Sequence, residues 1–214
     1  MRDKNIRIII GFTLAFAVVT VLMQSGLLKS LDEGLQRSIY NLFKNQTATD
    51  ILLFITNYTL GTVIGVGAVG LLLLIHRHFY GIISLGISFV GMYLAVDILK
   101  HFITRSRPFI SDSTISFLGT KLPDGYSFPS GHTTIAFFLA YVIAYKFKHS
   151  KPIVIGAYLF AAIIGFSRIY LGAHYPMDVL GGLFLGLIFG HIAVLIDIAL
   201  IKNDHKIRTF LIKK

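Results

Sequence analysis

The sequence has no cysteine and few charged residues. Of its 214 residues, 14% are charged and 55% are hydrophobic, whereas about a quarter of the residues of a soluble domain are charged. The absence of cysteine excludes disulfide bonds, thiolate metal sites and a cysteine nucleophile. The shortage of charge, together with the apolar excess, indicates that lipid and not water surrounds most of the chain.

Six apolar segments have about the length that a helix needs to cross a hydrocarbon core, although the fourth is short. They run from Ile6 to Leu28, Ile51 to Ile75, Tyr80 to Leu99, Gly131 to Tyr145, Pro152 to Tyr170 and Asp178 to Ile201. Backbone groups in lipid must be hydrogen-bonded internally, and the runs do not alternate as barrel strands do. The first run is too long for a signal peptide and no small-residue cleavage site follows it, so we expect it to be retained. The sequence predicts an all-α, six-transmembrane helix bundle.

A shorter helix is predicted between the first two spans. Leu31, Leu35, Ile39 and Leu42 recur at helical spacing among polar residues, a pattern typical of an amphipathic helix that lies in the membrane interface. Such a helix is either a plain connection or a cover that guides substrate.

Glycines recur every four residues in two of the spans. They are Gly61 and Gly65 in the second span, and Gly182, Gly186 and Gly190 in the last. Small faces of this kind let helices approach closely, so they predict packing and not chemistry. We find no repeat and no second domain, and expect residues 1–214 to form a single integral-membrane domain whose motifs lie at about residues 97–201.

The formal net charge of +10 is distributed unevenly. Basic residues gather at the N-terminus, at Arg77, at 146–151 and in the C-terminal tail, all on one side of a six-helix zigzag. The positive-inside rule makes that side cytoplasmic, with both termini on it. Anionic lipid headgroups are a sufficient partner for this rim, so we expect no nucleic acid and no obligate protein partner.

Three polar clusters then fall at the outward ends of the spans: Lys100–Pro108, Pro129–His132 and Ser167–Asp178. Charges near a membrane are costly unless they are functional or reach the interface. If the helix ends converge, Lys100, Arg107 and Arg168 form a pocket for a multiply charged anion such as phosphate. The alternative is that each cation separately anchors a helix end at the interface.

The second cluster predicts a helix start. Ser130 occupies an N-cap position before an apolar run, and Gly131 leaves the backbone uncovered. The amides of Gly131 and His132 would then form an anion site, although an ordinary capped helix gives the same pattern.

The third cluster places Asp178 four residues after His174 at another helix start. The carboxylate can hold the proton of one imidazole nitrogen and leave the other as a nucleophile or base. A buried structural histidine is the alternative. His132 supplies a second imidazole, and phosphoryl transfer needs both a nucleophile and a proton donor for the leaving group.

The combined pattern is far more specific than its parts. Lys-x6-Arg-Pro, Pro-Ser-Gly-His and Ser-Arg-x5-His-x3-Asp occur here without departure, so the chain resembles the type 2 phosphatidic acid phosphatase superfamily from its third span to its end. The resemblance implies a metal-independent phosphatase that needs no cofactor and forms a phosphohistidine. His174 would attack phosphorus, Asp178 would orient it, and His132 would protonate the leaving oxygen. The implied phosphate-binding residues are Lys100, Arg107, Ser130, Gly131 and Arg168.

The six spans and small size favour a bacterial plasma-membrane enzyme with its active site on the outer face. Undecaprenyl pyrophosphate, phosphatidylglycerol phosphate and phosphatidic acid are the competing substrates, and the loop from Phe109 to Phe128 is expected to shape the choice. Two other functions use the same residues: phosphotransfer to a lipid acceptor, and anion transport. Vanadium haloperoxidases share the signature but are soluble. Arg105 is interpreted as an interface residue or a contact for a second phosphate, and Asp97 as an interface residue or a partner of Lys100.

Overall fold

The structure, a computed structural model, describes the backbone of residues 2–42, 45–56, 58–76, 78–119 and 121–212. Within these ranges, the side chains of residues 2, 42, 58–64 and 205–212 are outside the description. Arg77, Gly61 and the basic residues of the tail, on which part of the charge and packing predictions depends, are therefore not tested.

All regular secondary structure among the described residues is helical. The helices are α1 (Arg2–Gln24), α2 (Lys29–Leu42), α3 (Gln46–Ile55), α4 (Tyr58–Ile75), α5 (Phe79–Ile103), α6 (Pro108–Ser111), α7 (Gly131–Lys146), α8 (Lys151–Tyr170) and α9 (Pro176–Ile212). The predicted all-α class is confirmed, and the helix predicted between the first two spans is present as α2.

Four helices contain a stretch long and apolar enough to cross a membrane, when the described residues are considered. They are α1, α5, α8 and α9, which correspond to the first, third, fifth and sixth predicted spans. Helix α7 matches the fourth segment but has only 16 residues. Large apolar side chains such as Leu14 and Ile98 are exposed, as expected of a surface that faces lipid. The chain is a multi-pass membrane protein.

The second predicted span is wrong as a single helix. Helix α3 ends at the C-cap residue Thr56, and α4 begins at Tyr58. The hydroxyl group of Thr56 accepts a hydrogen bond from Arg168 (3.4 Å). At Thr56, where α3 ends, a polar side chain thus reaches the cluster of helix ends described below.

The centre of the bundle is the contact between α7 and α9, where the glycine prediction is confirmed. A Cβ atom at Gly182 would lie 2.6 Å from the Ser130 carbonyl oxygen, and one at Gly186 would lie 2.4 Å from that of Thr134. These separations are too short for any side chain, so the glycines set the distance between the helices that carry His132 and Asp178. Gly65, by contrast, has room for a Cβ at ordinary contact distance.

Replacing Gly186 by alanine should therefore destabilise the protein by about 1–3 kcal/mol, because the new methyl group overpacks a rigid backbone contact. We expect a lower melting temperature in detergent and reduced activity. Gly67→Ala is the matched control, since nothing lies within 4 Å of a Cβ at that position. Equal melting temperatures for the two variants would contradict the packing account.

Helix α2 turns its polar face toward the rest of the protein. Leu31 and Leu35 are exposed, while Asp32, Gln36 and Tyr40 recur once per turn on a buried face. This polar face packs on α8 and α9. The predicted spacing is correct, and its apolar side faces outward because the polar side is bonded to the rest of the protein.

Candidate functional site

The three polar clusters meet at one end of the bundle. Lys100 and Arg107 come from the end of α5 and the segment after it, Arg168 from the last turn of α8, and His132 and Asp178 from the first turns of α7 and α9. His174 lies in the turn between α8 and α9. Its amide donates to the Arg168 carbonyl (3.1 Å), which fixes the histidine to the end of α8.

Asp178 is the centre of the site and has no solvent exposure. Its Oδ2 accepts hydrogen bonds from the Tyr175 amide (2.9 Å) and from the Ser127 hydroxyl group, and lies 3.5 Å from His174 Nδ1. Its Oδ1 accepts from Arg105 Nη1 (2.6 Å). A buried carboxylate needs such partners to remain ionised, and here each of its oxygens has one.

The two ring nitrogens of His174 have different surroundings. Arg107 Nη1 lies 3.3 Å from Nε2, and a guanidinium group can only donate, so Nε2 must be the nitrogen without a proton. Nδ1 then carries the proton and faces Asp178 and the Ser127 hydroxyl group. This tautomer directs the lone pair of Nε2 toward Arg107, on the side where the cations gather.

Burial lowers the pKa of His174 to about 3, and the positive charge of Arg107 acts in the same direction, while Asp178 opposes both. A lowered pKa means that the protonated form appears only at low pH. The imidazole is therefore neutral, and nucleophilic, across the physiological range.

This predicts that His174 does not titrate between pH 5 and pH 8. The imidazole signals of histidine-labelled protein, assigned by their loss in His174→Gln, should stay constant over that range. A His174 midpoint near its ordinary value of about 6.5 would contradict the electrostatic description of the site.

Arg107 is held by backbone carbonyl groups on three sides. Its Nε donates to Gly125 (2.9 Å), its Nη2 to Asp124 (3.0 Å) and its Nη1 to Ala173 (3.1 Å). Lys100 Nζ donates to the carbonyl of Tyr126. The loop between α6 and α7 is thus in direct contact with two of the predicted phosphate-binding cations.

Arg168 completes a group of three cations. It is 4% exposed, and its Nε has no hydrogen-bond partner among the described residues. Arg107 interacts electrostatically with both Arg168 and Lys100. Like charges held this close repel one another, and an anion bound between them relieves the repulsion. The predicted convergence of Lys100, Arg107 and Arg168 is therefore present in the structure.

Ser130 is the N-cap residue of α7, as predicted, but its hydroxyl group makes no capping hydrogen bond and instead accepts from Thr133 Oγ1 (2.9 Å). Its amide donates to the Asp178 carbonyl (3.0 Å) and joins the second and third clusters. The first amides of a helix have no partner within the helix, so those of Gly131 and His132 are suited to an anion.

His132 is within electrostatic range of Arg168 and His174, and the backbone of Thr56 faces its ring. The two histidines predicted to act together therefore belong to one site. Every residue predicted for catalysis or phosphate binding lies in this cluster.

Arg105 has partners that neither hypothesis anticipated, and its contact with a second phosphate stays a prediction. Its guanidinium group binds Asp178 and, through Nη2, Asp32 Oδ2 (2.5 Å). The side chain of Asp97 is 62% exposed and lies 3.6 Å from His101, and it interacts electrostatically with Lys100.

The sequence analysis missed Ser127 and Asp32 as site residues, and it considered Thr56 only as part of an apolar span. Ser127 is three positions before Ser130, and this closeness to the second motif is the signal that could have identified it as a site residue. Asp32 and Thr56 come from segments without a motif, and only the folded chain brings them here.

A cavity of about 460 Å³ lies beside the site, between the ends of α1 and α2 and the segment that follows α5. Its lining includes Lys29, Asp32, Glu33, Arg105 and Tyr175. It therefore lies on the Arg105 side of Asp178, away from the imidazole.

A histidine–carboxylate pair beside three cations, at the ends of membrane helices, is the arrangement expected of a membrane-embedded phosphatase. Comparison with known proteins agrees: the model of the PAP2 superfamily matches residues 79–201, and the chain belongs to that superfamily. It is a lipid-phosphatase-type enzyme, and the family resemblance drawn from the motifs is confirmed.

Two curated relatives cover most of the chain. Phosphatidylglycerophosphatase B of Bacillus subtilis is 28% identical over 191 residues, which are 84% of this chain and 89% of the relative. An undecaprenyl-diphosphatase of Sulfolobus acidocaldarius is 30% identical over 155 residues, 72% of this chain and 73% of the relative.

A solved structure shares the fold. The crystal structure of a transmembrane PAP2-type phosphatidylglycerolphosphate phosphatase from Bacillus subtilis matches with a TM-score of 0.69 and 25% identity, over 87% of this chain and 94% of that one. The fold of the chain is thus that of a membrane-embedded phosphatase.

Proposed function

We propose that the protein removes phosphate from lipid phosphates or pyrophosphates by a metal-independent mechanism with a phosphohistidine on His174. The observation that carries the proposal is the environment of His174. One ring nitrogen faces a buried carboxylate, and the other, without a proton, faces Arg107 within the cation cluster.

In the first step, His174 Nε2 attacks phosphorus and the bond from phosphorus to the leaving oxygen breaks. Asp178 accepts the hydrogen bond from Nδ1–H and stabilises the positive charge that develops on the ring. His132 gives a proton to the leaving oxygen, so that the lipid alcohol, or the lipid monophosphate if the substrate is a pyrophosphate, departs neutralised at that oxygen.

In the second step, water attacks the phosphohistidine and the bond from phosphorus to nitrogen breaks. His132, now without its proton, takes one from the water. Inorganic phosphate leaves and both histidines return to their starting state. Lys100, Arg107 and Arg168 stabilise the charge on the phosphoryl oxygens in both steps.

The predicted phosphate-binding groups fit this scheme because they come from different elements around one space. The cations approach from α5, the segment after it and α8, while Ser130 and the Gly131 amide are at the start of α7. We propose that residues 1–214 act as one domain with the bilayer and its lipids as partners.

Two of the expected substrates correspond to the names of relatives. One relative is a phosphatidylglycerophosphatase and another an undecaprenyl-diphosphatase. We propose phosphatidylglycerol phosphate and undecaprenyl pyrophosphate as the substrates, with phosphatidic acid as the third to test. The carbonyl groups of residues 124–126 contact Arg107 and Lys100, which supports the expectation that this loop shapes the choice.

For the topology we propose six spans in a bacterial plasma membrane, with both termini in the cytoplasm and the site outside. The positive-inside rule supports it, as does the position of the site at the α1 C-terminal end and the α9 N-terminal end. Each terminal tag should resist labelling from outside intact cells. Labelling of either tag from outside would reverse the orientation.

The activity is tested by phosphate release from the purified, detergent-solubilised protein in the presence of a chelator. The three lipids are supplied separately. Release that continues in chelator, and that ranks one lipid first, supports the mechanism and identifies the substrate. Transfer of phosphate to an added lipid alcohol without release would instead show a phosphotransferase, and no chemistry with folded protein would favour anion transport.

A further inference from the structure

The buried polar face of α2 needs an explanation beyond helix packing. Asp32 is 4% exposed, and burying a carboxylate is unfavourable unless it is paired. An interfacial connection between two spans has no need of such a residue. The two oxygens of Asp32 are both engaged, and both partners belong to the catalytic region.

Asp32 Oδ2 accepts a hydrogen bond from Arg105 Nη2 (2.5 Å), and Oδ1 accepts one from the Met177 amide (2.8 Å). Arg105 Nη1 in turn donates to Asp178 Oδ1 (2.6 Å). The guanidinium carbon also lies 4.2 Å from the centre of the Tyr175 ring. Arg105 is thus a bridge between two carboxylates, held flat by an aromatic face.

Arg105 contacts Oδ1 of Asp178, and the other oxygen, Oδ2, is the one that lies near His174. Without Arg105, Oδ1 would have no partner among the described residues, and only the hydrogen bonds of Oδ2 with Tyr175 and Ser127 would oppose rotation of the carboxylate. Since Oδ2 faces Nδ1 of His174, rotation would weaken the contact that keeps the proton there. The orientation of the imidazole therefore depends on a residue that does not touch it.

Asp32 in turn controls where Arg105 lies. The cavity of about 460 Å³ beside the site is lined by both residues and offers the long arginine side chain an alternative position. The contact with Asp32 keeps the guanidinium group at Asp178. The contact with Met177 fixes Asp32 to the first turn of α9, one residue before Asp178.

We infer that Arg105 and Asp32 are positioning residues for catalysis, through which α2 fixes the carboxylate of Asp178 and so the contact between that carboxylate and Nδ1 of His174. The inference rests on the proposed role of His174 as nucleophile. It assigns α2 a function in the chemistry, in addition to that of a connection or a cover.

The test uses Arg105→Gln, Asp32→Asn and the double variant in the full-length protein. Asparagine keeps an oxygen for the Met177 amide and removes the charge that holds Arg105. Arg37→Gln is the matched control. Arg37 lies on the same helix and pairs with Asp112 (2.5 Å), so this variant loosens α2 without touching the bridge to Asp178.

We expect kcat to fall about 10- to 100-fold in Arg105→Gln, as for other residues that orient a catalytic group through one partner. Asp32→Asn should have a smaller effect, with KM nearly unchanged in both. Because the residues act in series, the double variant should be no slower than Arg105→Gln alone. Arg105→Lys should recover part of the rate, and Arg37→Gln should match the wild type.

A second readout does not depend on turnover. In nitrogen-15 spectra of histidine-labelled protein, His174 should be a single tautomer with its proton on Nδ1 in the wild type and in Arg37→Gln. Arg105→Gln should keep that tautomer, because Arg107 still faces Nε2, but its Nδ1–H signal should shift, because the contact of Nδ1 with Asp178 is weakened. If the wild type proves inactive on every lipid, the proposed function fails, yet these spectra still decide the inference.

An unchanged Nδ1–H signal and an unchanged kcat in Arg105→Gln would overturn the inference. So would an equal loss of kcat in Arg37→Gln, since that would show that α2 acts only by its general attachment. Additive losses in the double variant would show that Asp32 and Arg105 act separately.

Discussion

Replacing His174 by alanine should lower phosphate release by at least about four orders of magnitude, to the level of a protein without a nucleophile. The reason is that no second group can take its place. His132 is reserved for proton transfer, and the chain contains no cysteine. The measurement is the rate of phosphate release from the preferred lipid by the purified variant.

The matched control is His101→Ala. His101 lies at the same end of α5 as the site, and its side chain is 70% exposed. This variant should keep the wild-type rate, which shows that loss of a histidine near the site is not damaging in itself. If His174→Ala retained one tenth or more of the wild-type rate, His174 would not be the nucleophile.

Replacing Arg107 by lysine should lower kcat/KM about 10²- to 10³-fold although the positive charge is kept. The guanidinium group donates at once to the carbonyl groups of Asp124, Gly125 and Ala173 and faces His174 Nε2. An ammonium group cannot reproduce this planar set of donors. We expect both the loop and the imidazole to lose their fixed positions, so that phosphate is bound less well and attacked less often.

The control for this prediction is Arg37→Lys. Arg37 is exposed and pairs with the carboxylate of Asp112. It should keep the wild-type kcat/KM within about two-fold, because exposed ion pairs contribute little. Melting temperatures of both variants separate a loss of function from a loss of folding. A fully active Arg107→Lys would show that charge alone is needed at this position.

Local patterns in the sequence identify most of the site. The glycine repeat predicts how closely α9 approaches α7, since the absence of a side chain has a direct geometric meaning. The motif spacings place His174 and Asp178 one helical turn apart. Such features depend on short stretches of chain, where the period of the helix determines which residues meet.

Features that depend on distant contacts could not be read in this way. Hydropathy predicted one span where the structure has α3 and α4, because the role of Thr56 depends on Arg168, far along the chain. Likewise, the periodicity of α2 gives its two faces but not which one turns inward. That choice depends on the partner of Asp32, which is Arg105, 73 residues away.

The most direct test of the central claim is to trap the covalent intermediate. Radiolabelled lipid phosphate is mixed with the enzyme, the reaction is stopped within one turnover, and the labelled peptide is sequenced. We predict a label on His174 that is stable in base, is lost in acid, and is absent from His174→Ala. Release of phosphate by the wild type with no labelled peptide, or with the label on another residue, would contradict the account.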